Sequence, residues 1–217
     1  RSCSPLGVSV LDNSTRVSYL AASFLLATSA IPQAAAAAAG PRYTYVDIAY
    51  VNTEIDDDGL LGEDPDGDGI GIGGSVAVAD MVHLFASYGM AELEVFDVDV
   101  DYDVLTFGAG VNYPLSNTVD FVGRISYVDA EVDVDGFGSA DESGYGLSTG
   151  VRAMLTEQVE LSGFLNYVDL GSGADETTVS IEALYSFNET FAAGLGTEFG
   201  SDSREISAGV RLYFGGR

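Results

Sequence analysis

The sequence LTFGAGVNY at residues 105–113 alternates strictly between two kinds of side chain. Its even positions hold threonine, glycine and asparagine. Its odd positions are apolar or aromatic, namely Leu105, Phe107, Ala109, Val111 and Tyr113. Successive side chains of a β-strand point to opposite sides, so a period of two predicts a strand whose two faces meet different media. One face of this segment prefers an apolar medium, and the other does not.

The same alternation recurs throughout the chain after Pro41. No apolar run there reaches the ~20 residues that a transmembrane helix needs. We predict strands at residues 43–55, 70–80, 82–95, 102–113, 119–132, 143–155, 159–170, 176–187, 190–200 and 204–214. Membrane barrels close with an even number of antiparallel strands. The predicted fold class is therefore all-β, a transmembrane antiparallel up-and-down β-barrel of about ten strands, with eight strands as the alternative.

Connection lengths and aromatic residues give the barrel an orientation. The connections alternate between tight turns and longer, acidic loops, which are typical of the periplasmic and extracellular ends of membrane barrels. Aromatic residues form two predicted belts, one far from the tight turns (Tyr50, Tyr127, Tyr167, Phe199) and one beside them (Tyr113, Phe121, Phe187, Phe191, Phe214). Such belts mark the two membrane interfaces. A soluble lipocalin-like barrel or sandwich, with its apolar face packed inward, is the alternative.

The first part of the chain has the composition of a targeting segment. Residues 19–31 are almost wholly apolar or small, Arg16 precedes them, and an alanine run follows. This run is too short to cross a ~30 Å hydrocarbon core as a helix. Small residues at its end suit cleavage by signal peptidase. We therefore predict that residues 1–39 are a signal peptide with its upstream segment, removed on maturation, and that residues 40–217 form the barrel.

The last strand and the signal segment together carry a resemblance to a known family. Residues 209–214, GVRLYF, alternate apolar residues and end in an aromatic side chain, similar to the signal read by the outer-membrane assembly machinery. Over residues 43–214 the chain resembles the small outer-membrane barrels of the OmpA and OmpX type, which have eight strands. The resemblance implies a place in the outer membrane of a Gram-negative bacterium. It also implies outer-membrane lipid, lipopolysaccharide and the assembly machinery as partners.

The charge of the chain excludes one class of partner and suggests another. The formal net charge is −26, and a nucleic-acid partner would need a cationic surface. Acidic residues gather at the predicted extracellular end, around one loop (Glu92, Glu94, Asp97, Asp99, Asp101, Asp103) and beside another (Asp129, Glu131, Asp133, Asp135). Neighbouring like charges repel unless water, salt or divalent ions intervene. These residues form either a solubilising rim or a surface for cation bridging to lipopolysaccharide.

One loop resembles half of a calcium site. Residues 64–69, DPDGDG, place Asp64, Asp66 and Asp68 at the first, third and fifth positions of a calcium loop and glycine at the sixth. The twelfth position, which should supply a bidentate glutamate, is Ser75. The candidate is a weak calcium site, and the alternative is a solvated acidic loop. We expect no other cofactor.

The predicted inward faces contain charged residues among many small ones: Asp47, Arg124, Arg152, Glu160, Glu182, Glu198 and Arg211. These residues can form an internal ion-pair network, or they can line a thin water path. His83 is the only histidine, and no serine and aspartate are gathered around it in the sequence. We therefore predict a structural role for His83, no catalytic residues and no enzymatic activity.

Two functional hypotheses follow from these patterns. The first is a non-enzymatic outer-membrane β-barrel with acidic extracellular loops and a structural or surface-interaction role, in contact with ions, lipopolysaccharide or other cells. The second is a narrow passive channel that prefers cations. We expect the protein to be a monomer under either hypothesis.

Overall fold

Ten antiparallel strands form one closed barrel. The computed structural model describes residues 40–55, 66–95, 98–134, 136, 138–171 and 175–214. The strands are β1 (Tyr45–Ile55), β2 (Asp66–Ala79), β3 (Val82–Val95), β4 (Val98–Pro114), β5 (Val119–Val134), β6 (Gly138–Met154), β7 (Val159–Asp169), β8 (Asp175–Ser186), β9 (Phe191–Phe199) and β10 (Ser203–Tyr213). They follow one another around the barrel in chain order, and β1 pairs with β10. The ten-strand prediction is confirmed, and the eight-strand alternative is wrong.

The seam between β1 and β10 is held by the residues that precede β1. The two strands pair without a register shift along the whole of β1. The Phe214 N–H donates a hydrogen bond to the Thr44 carbonyl at 3.3 Å. Arg42 donates to the carbonyl of Glu189 at 2.6 Å, and its guanidinium carbon lies 4.6 Å from the Tyr213 ring centroid. The seam therefore leaves no open sheet edge that could pair with another chain.

The connections at one end of the barrel are tight turns, as predicted. They occupy residues 80–81, 115–118, 155–158 and 187–190. In the last three, a short polar side chain, Ser116, Thr156 or Asn188, accepts a hydrogen bond from a backbone N–H two residues further on. Serine, threonine and asparagine favour turns by this local bonding. This end corresponds to the predicted periplasmic end.

On the half of the barrel nearer the tight turns, the outer face is apolar and the lumen is polar. On β4, Phe107 and Val111 are 49% and 55% exposed, whereas the neighbouring side chains of Thr106 and Asn112 are buried. The same division holds on β7, where Leu165 is exposed and Asn166 is buried. This half is the membrane section, because an apolar outer surface suits lipid. Among the described residues, no helix is long and apolar enough to cross a membrane.

Beyond the membrane section the alternation inverts. On β4, Tyr102 and Val104 point into the lumen and are 2% exposed each, while Asp101 lies on the exposed outer face. On β5, Val128 is buried and Asp129 is exposed. A strand that leaves the membrane exchanges lipid for water on its outer face, so acidic residues replace apolar ones there. We call this part the outer section.

An apolar cluster lies in the lumen of the outer section. Its side chains come from four strands and the residue that follows β7: Val51, Val100, Tyr102, Val104, Val128, Ala130, Val132, Val168 and Leu170. Around this cluster the outer section has the polarity of a water-soluble barrel, with apolar side chains inside and charged ones outside. On β4 and β5 the lumenal face changes from polar to apolar along the barrel axis.

The structure corrects two of the predicted loops, those that join β3 to β4 and β5 to β6. Strands β4 and β6 begin at Val98 and Gly138, several residues before the predicted starts at 102 and 143. The β3–β4 and β5–β6 connections occupy only residues 96–97 and 135–137, so the long acidic loops predicted there are wrong. Alternating valine and aspartate form good strands once the valines have an apolar interior to enter. Asp99, Asp101 and Asp133, which the prediction placed in these loops, lie in strands, and Asp97 and Asp135 lie outside the described residues.

The predicted signal segment, residues 1–39, lies outside the described residues. Its assignment and the predicted domain boundary at residue 40 stay predictions.

We expect an arginine on the outer face of β5 to have different effects on stability in the two sections. Ile125→Arg places a charge on the lipid-facing side of the membrane section and should destabilise the barrel by about 1–3 kcal/mol in lipid vesicles. Glu131→Arg, on the same face of the same strand but in the outer section, should change stability by less than about 0.5 kcal/mol. Urea unfolding in vesicles measures both. Equal stability of the two variants would contradict the assignment of the sections.

Candidate functional site

The lumen of the membrane section contains a buried ion pair next to the 155–158 turn. Arg152 Nε donates to Glu160 Oε1 at 2.7 Å, and the side chains are 1% and 0% exposed. The two residues lie near each other because β6 and β7 are joined by that turn. Burial of either charge alone would cost several kcal/mol, so each requires the other.

A second buried ion pair crosses the seam of the barrel. Arg211 on β10 and Asp47 on β1 are direct register partners, and Arg211 Nη2 donates a hydrogen bond to Asp47 Oδ2. The Arg211 guanidinium carbon also lies 3.5 Å from the centroid of the Tyr45 ring. The pair therefore joins the first and last strands from inside the lumen.

Aromatic rings cover the lumenal arginines. The guanidinium carbon of Arg124 lies 5.4 Å from the Phe85 ring centroid and 5.1 Å from that of Phe164. The guanidinium carbon of Arg152 lies 4.5 Å from the Tyr43 ring centroid. Cation–π contacts of this kind stabilise a guanidinium that has left water. Arg124, Arg152 and Arg211, with Asp47 and Glu160, form what we call the arginine girdle.

The structure confirms that the predicted inward charged residues point into the lumen. Of the seven, Arg124 is half-buried and the other six are buried. The sequence analysis missed the aromatic partners in the lumen, Tyr43, Tyr45, Phe85 and Phe164. The alternation of the predicted strands contained the signal, since each of these four aromatic residues falls at an inward position of its predicted strand, unlike the aromatic residues of the belts.

His83 is packed in the wall of the lumen. Its side chain is fully buried, and its ring stacks on Tyr43 with centroids 4.7 Å apart and planes 24° apart. Nδ1 lies 3.4 Å from Asn112 Oδ1, its one hydrogen-bond partner within the described part of the chain. Gly110 makes room for the imidazole, since a Cβ there would overlap it. This environment agrees with the structural role predicted for His83.

The outer section carries rows of carboxylates across neighbouring strands. Asp68, Glu92, Asp101 and Asp133 are successive register partners on β2, β3, β4 and β5. A second row, two residues nearer the membrane on β4 and β5, contains Asp103, Glu131 and Asp141. All seven face outward, and all except the half-buried Asp103 are exposed. We call these two rows the acidic wall. Adjacent strands lie ~4.8 Å apart, so neighbouring carboxylates of a row repel one another.

Four tyrosines lie at the edge of the acidic wall that is nearer the membrane section. Their hydroxyls donate to outward-facing aspartates: Tyr50 to Asp68 at 3.0 Å, Tyr88 to Asp103 at 2.5 Å and Tyr127 to Asp129 at 3.1 Å. A fourth such bond joins Tyr145 to Asp169. Tyrosine suits a membrane interface because its ring is apolar and its hydroxyl is polar. These pairs place the boundary between the two sections.

The structure describes only part of the predicted calcium loop. Asp64 lies outside the described residues, whereas Asp66 and Asp68 belong to strand β2. The Ser75 hydroxyl donates to the Tyr43 carbonyl at 3.0 Å, inside the barrel. Within the described ranges, no three histidine, cysteine or acidic side chains are grouped to hold a metal ion. The weak calcium site stays a prediction.

Removal of one partner of the Arg152–Glu160 pair should destabilise the barrel. Glu160→Gln leaves a buried guanidinium without its counter-charge and should cost about 3–5 kcal/mol, whereas Arg152→Met combined with Glu160→Leu should recover most of the loss. Urea unfolding in detergent micelles measures the effect. Glu157→Gln, on the exposed turn nearby, is the matched control. A single variant as stable as this control would refute the role of the pair.

Comparisons with known proteins agree with this architecture. The family model described as "Outer membrane protein beta-barrel domain" matches residues 23–214. The translocator domain of the autotransporter NalP from Neisseria meningitidis superposes with a TM-score of 0.57 at 11% identity, covering 97% of this chain and 100% of that one. Neisserial surface protein A gives a TM-score of 0.41 at 21% identity, covering 78% of this chain and 96% of that one.

No curated protein sequence gives a match. The likeness to solved structures, at these identities, concerns the fold. The family match covers most of the chain, and it confirms both the predicted outer-membrane location and the predicted resemblance to small barrels. The chain belongs to the family of outer-membrane β-barrel proteins.

Proposed function

We propose that this protein is a non-enzymatic surface protein of the outer membrane. In this proposal its acidic wall binds divalent cations, which bridge the carboxylates to the phosphates of neighbouring lipopolysaccharide. The observation that carries the proposal is the position of the wall. Its carboxylates are on the outer face of the strands, so they point sideways toward surrounding lipid headgroups.

The height of the wall fits this partner. Asp133 lies six residues beyond Tyr127 on β5, which corresponds to ~20 Å along the strand. The wall therefore spans the layer directly outside the hydrocarbon, where the phosphates and sugars of lipopolysaccharide lie. A receptor on another cell would first meet the tips of the barrel, whereas the wall first meets neighbouring lipids.

The electrostatics of the wall favour divalent ions. Glu92 and Asp133 flank Asp101 in one row, and all three are exposed. Hard divalent cations prefer carboxylate oxygens, and an exposed site lets them keep part of their water shell. A cation that binds here relieves repulsion between neighbouring strands and retains positive charge for a phosphate. Monovalent salt would only screen the repulsion.

The filled lumen favours an anchored scaffold over a channel. The apolar cluster around Tyr102 and Val128 occupies the lumen of the outer section, and the arginine girdle occupies that of the membrane section. An apolar constriction opposes the passage of hydrated ions. Two obstacles of different chemistry thus lie in series along the same axis.

The environment of His83 supports a protein without hydrolytic activity. Catalytic triads require a nucleophile within hydrogen-bond reach of a base. In the described part of the chain, the hydrogen-bond partner of His83 is the amide of Asn112 and not a serine or a carboxylate. We also propose that the barrel is a monomer, because its closed sheet has no free edge for a partner strand. Recognition by the assembly machinery is assigned to the end of β10.

Neutralisation of the wall should weaken binding to lipopolysaccharide. Asp101→Asn combined with Asp133→Asn removes two of the four carboxylates of the first row. The purified barrel in detergent should retain labelled lipopolysaccharide in calcium and lose it in EDTA, and this variant should retain several-fold less. Co-elution of the label with the protein in gel filtration measures the effect.

Glu157→Gln combined with Glu189→Gln is the control for charge. It removes two carboxylates from the exposed turns at the opposite end of the barrel, and it should leave retention unchanged. Retention of lipopolysaccharide that EDTA does not reduce, or that falls equally in both variants, would disprove the bridging role of the wall.

The filled lumen predicts an electrically silent protein. In planar bilayers the purified barrel should show no steady unitary conductance in potassium chloride, because the apolar cluster and the girdle both block the lumen. Val128→Ser combined with Val104→Ser makes the cluster more polar and tests whether the arginine girdle alone is sufficient to block ion conduction. Regular cation-selective steps from the unmodified protein would favour the channel hypothesis instead.

A further inference from the structure

We propose that the barrel wall formed by β8, β9 and β10 binds one hard cation of calcium size between the carboxylates of Glu198 and Glu205. This site is inside the lumen and is separate from both the acidic wall and the arginine girdle. It does not depend on the proposed function.

The two carboxylates face each other across neighbouring strands. Glu198 on β9 and Glu205 on β10 are direct register partners, and they are 4% and 2% exposed. Inward side chains directly opposite in an antiparallel pair have Cβ atoms ~4.5–5.5 Å apart. Two carboxylates at this separation, out of water, cannot both stay charged without a positive charge between them.

The oxygen atoms of this pair lack donors within the part of the chain that the structure describes. Neither carboxylate oxygen of Glu205 has a hydrogen-bond partner there, and neither has Glu198 Oε2. Glu198 Oε1 accepts a hydrogen bond from Thr178 Oγ1 at 2.7 Å. The charged groups that act on Glu205 are Glu198 and Glu176, which are also acidic. A buried carboxylate with no donor and only acidic neighbours is a built acceptor for a cation.

A small cavity lies beside these oxygens. Its volume is about 10 Å³, and its lining includes Ser180, Glu182, Gly196, Glu198, Glu205 and Ser207. A cavity of this size holds about one water molecule or one bare ion. The lining offers carboxylate and hydroxyl oxygens, the ligands of hard cations. Mg²⁺ gives up its water shell reluctantly, so a closed site of this size favours an ion such as Ca²⁺.

Gly196 keeps the cavity open. A Cβ at this position would come within 2.6 Å of Ser207 Oγ and 3.5 Å of Glu182 Cγ, so it would fill the space between them. The nearest contact is a hydroxyl, which can rotate away. An alanine at this position should therefore remove the space for an ion while leaving the carboxylates and the fold in place.

The site lies close to the extracellular mouth of the barrel. Glu205 is the third residue of β10, and Glu198 is the last but one of β9. Glu176, near the start of β8, accepts a hydrogen bond from Ser203 Oγ at 3.2 Å between the site and the mouth. A cation from the medium thus meets a carboxylate before it reaches the pair.

The test uses the folded barrel in detergent, stripped of metal with EDTA and a chelating resin. Calcium binding is measured by equilibrium dialysis with radioactive Ca²⁺ in ~0.5 M sodium chloride, which screens the exposed acidic wall more than a buried site. We expect one Ca²⁺ per barrel at this site, counted apart from the predicted loop at residues 64–69, and a higher urea midpoint when Ca²⁺ is present. Glu205→Gln should abolish both effects, and so should Gly196→Ala, which keeps every charge.

The wall variant Asp101→Asn combined with Asp133→Asn is the matched control and should still bind one ion. A number of bound Ca²⁺ ions that neither Glu205→Gln nor Gly196→Ala lowers would overturn the proposal. Absence of binding by the unmodified barrel would overturn it as well and would indicate that the two carboxylates share a proton. A difference in SDS-gel mobility between unheated and boiled samples verifies that each variant is folded. Since the wall variant tests the proposed function separately, failure of one does not imply failure of the other.

Discussion

Every strand of this barrel separates two media, and one of those media changes at the membrane surface. The closed sheet pairs the backbone groups of each strand with its neighbours, which is the condition for a strand to cross lipid. The side chains then alternate between the lumen and the exterior. Because the exterior changes from lipid to water near Tyr50 and Tyr127, the outer face changes there from apolar to acidic. The lumen changes in the opposite sense.

The polar lumen of the membrane section imposes a second condition, since charges buried there need partners. The arginine girdle meets it with ion pairs and aromatic rings. Arg211 and Asp47 join the first and last strands, so the same contact neutralises two charges and supports closure. The apolar cluster of the outer section needs no such pairing. The lumen thus contains ion pairs in one section and an apolar cluster in the other, and the proposed cation sites lie on the outer face of the barrel and near its mouth.

The acidic residues lie in three structural environments, and the groups that each carboxylate contacts differ between them. Those of the wall face outward, and all except the half-buried Asp103 are exposed to water. Glu160 and Asp47 are buried against arginines. Glu198 and Glu205 are buried against each other. A negative charge as large as −26 therefore has no single role in this protein, and only the position of each carboxylate indicates what it can bind.

The sequence by itself determined the strands, the face of each residue and the tight turns, because alternation and turn chemistry are local properties. It placed Arg124 and Glu198 in the lumen by parity alone. It did not reveal that Val100, Tyr102 and Val104 form an interior with acidic neighbours outside, because the same alternation fits a strand in either medium. Only the tertiary structure decided which charges meet. Arg211 and Asp47 are 164 residues apart, and Glu198 faces Glu205, through registers that closure of the whole sheet establishes.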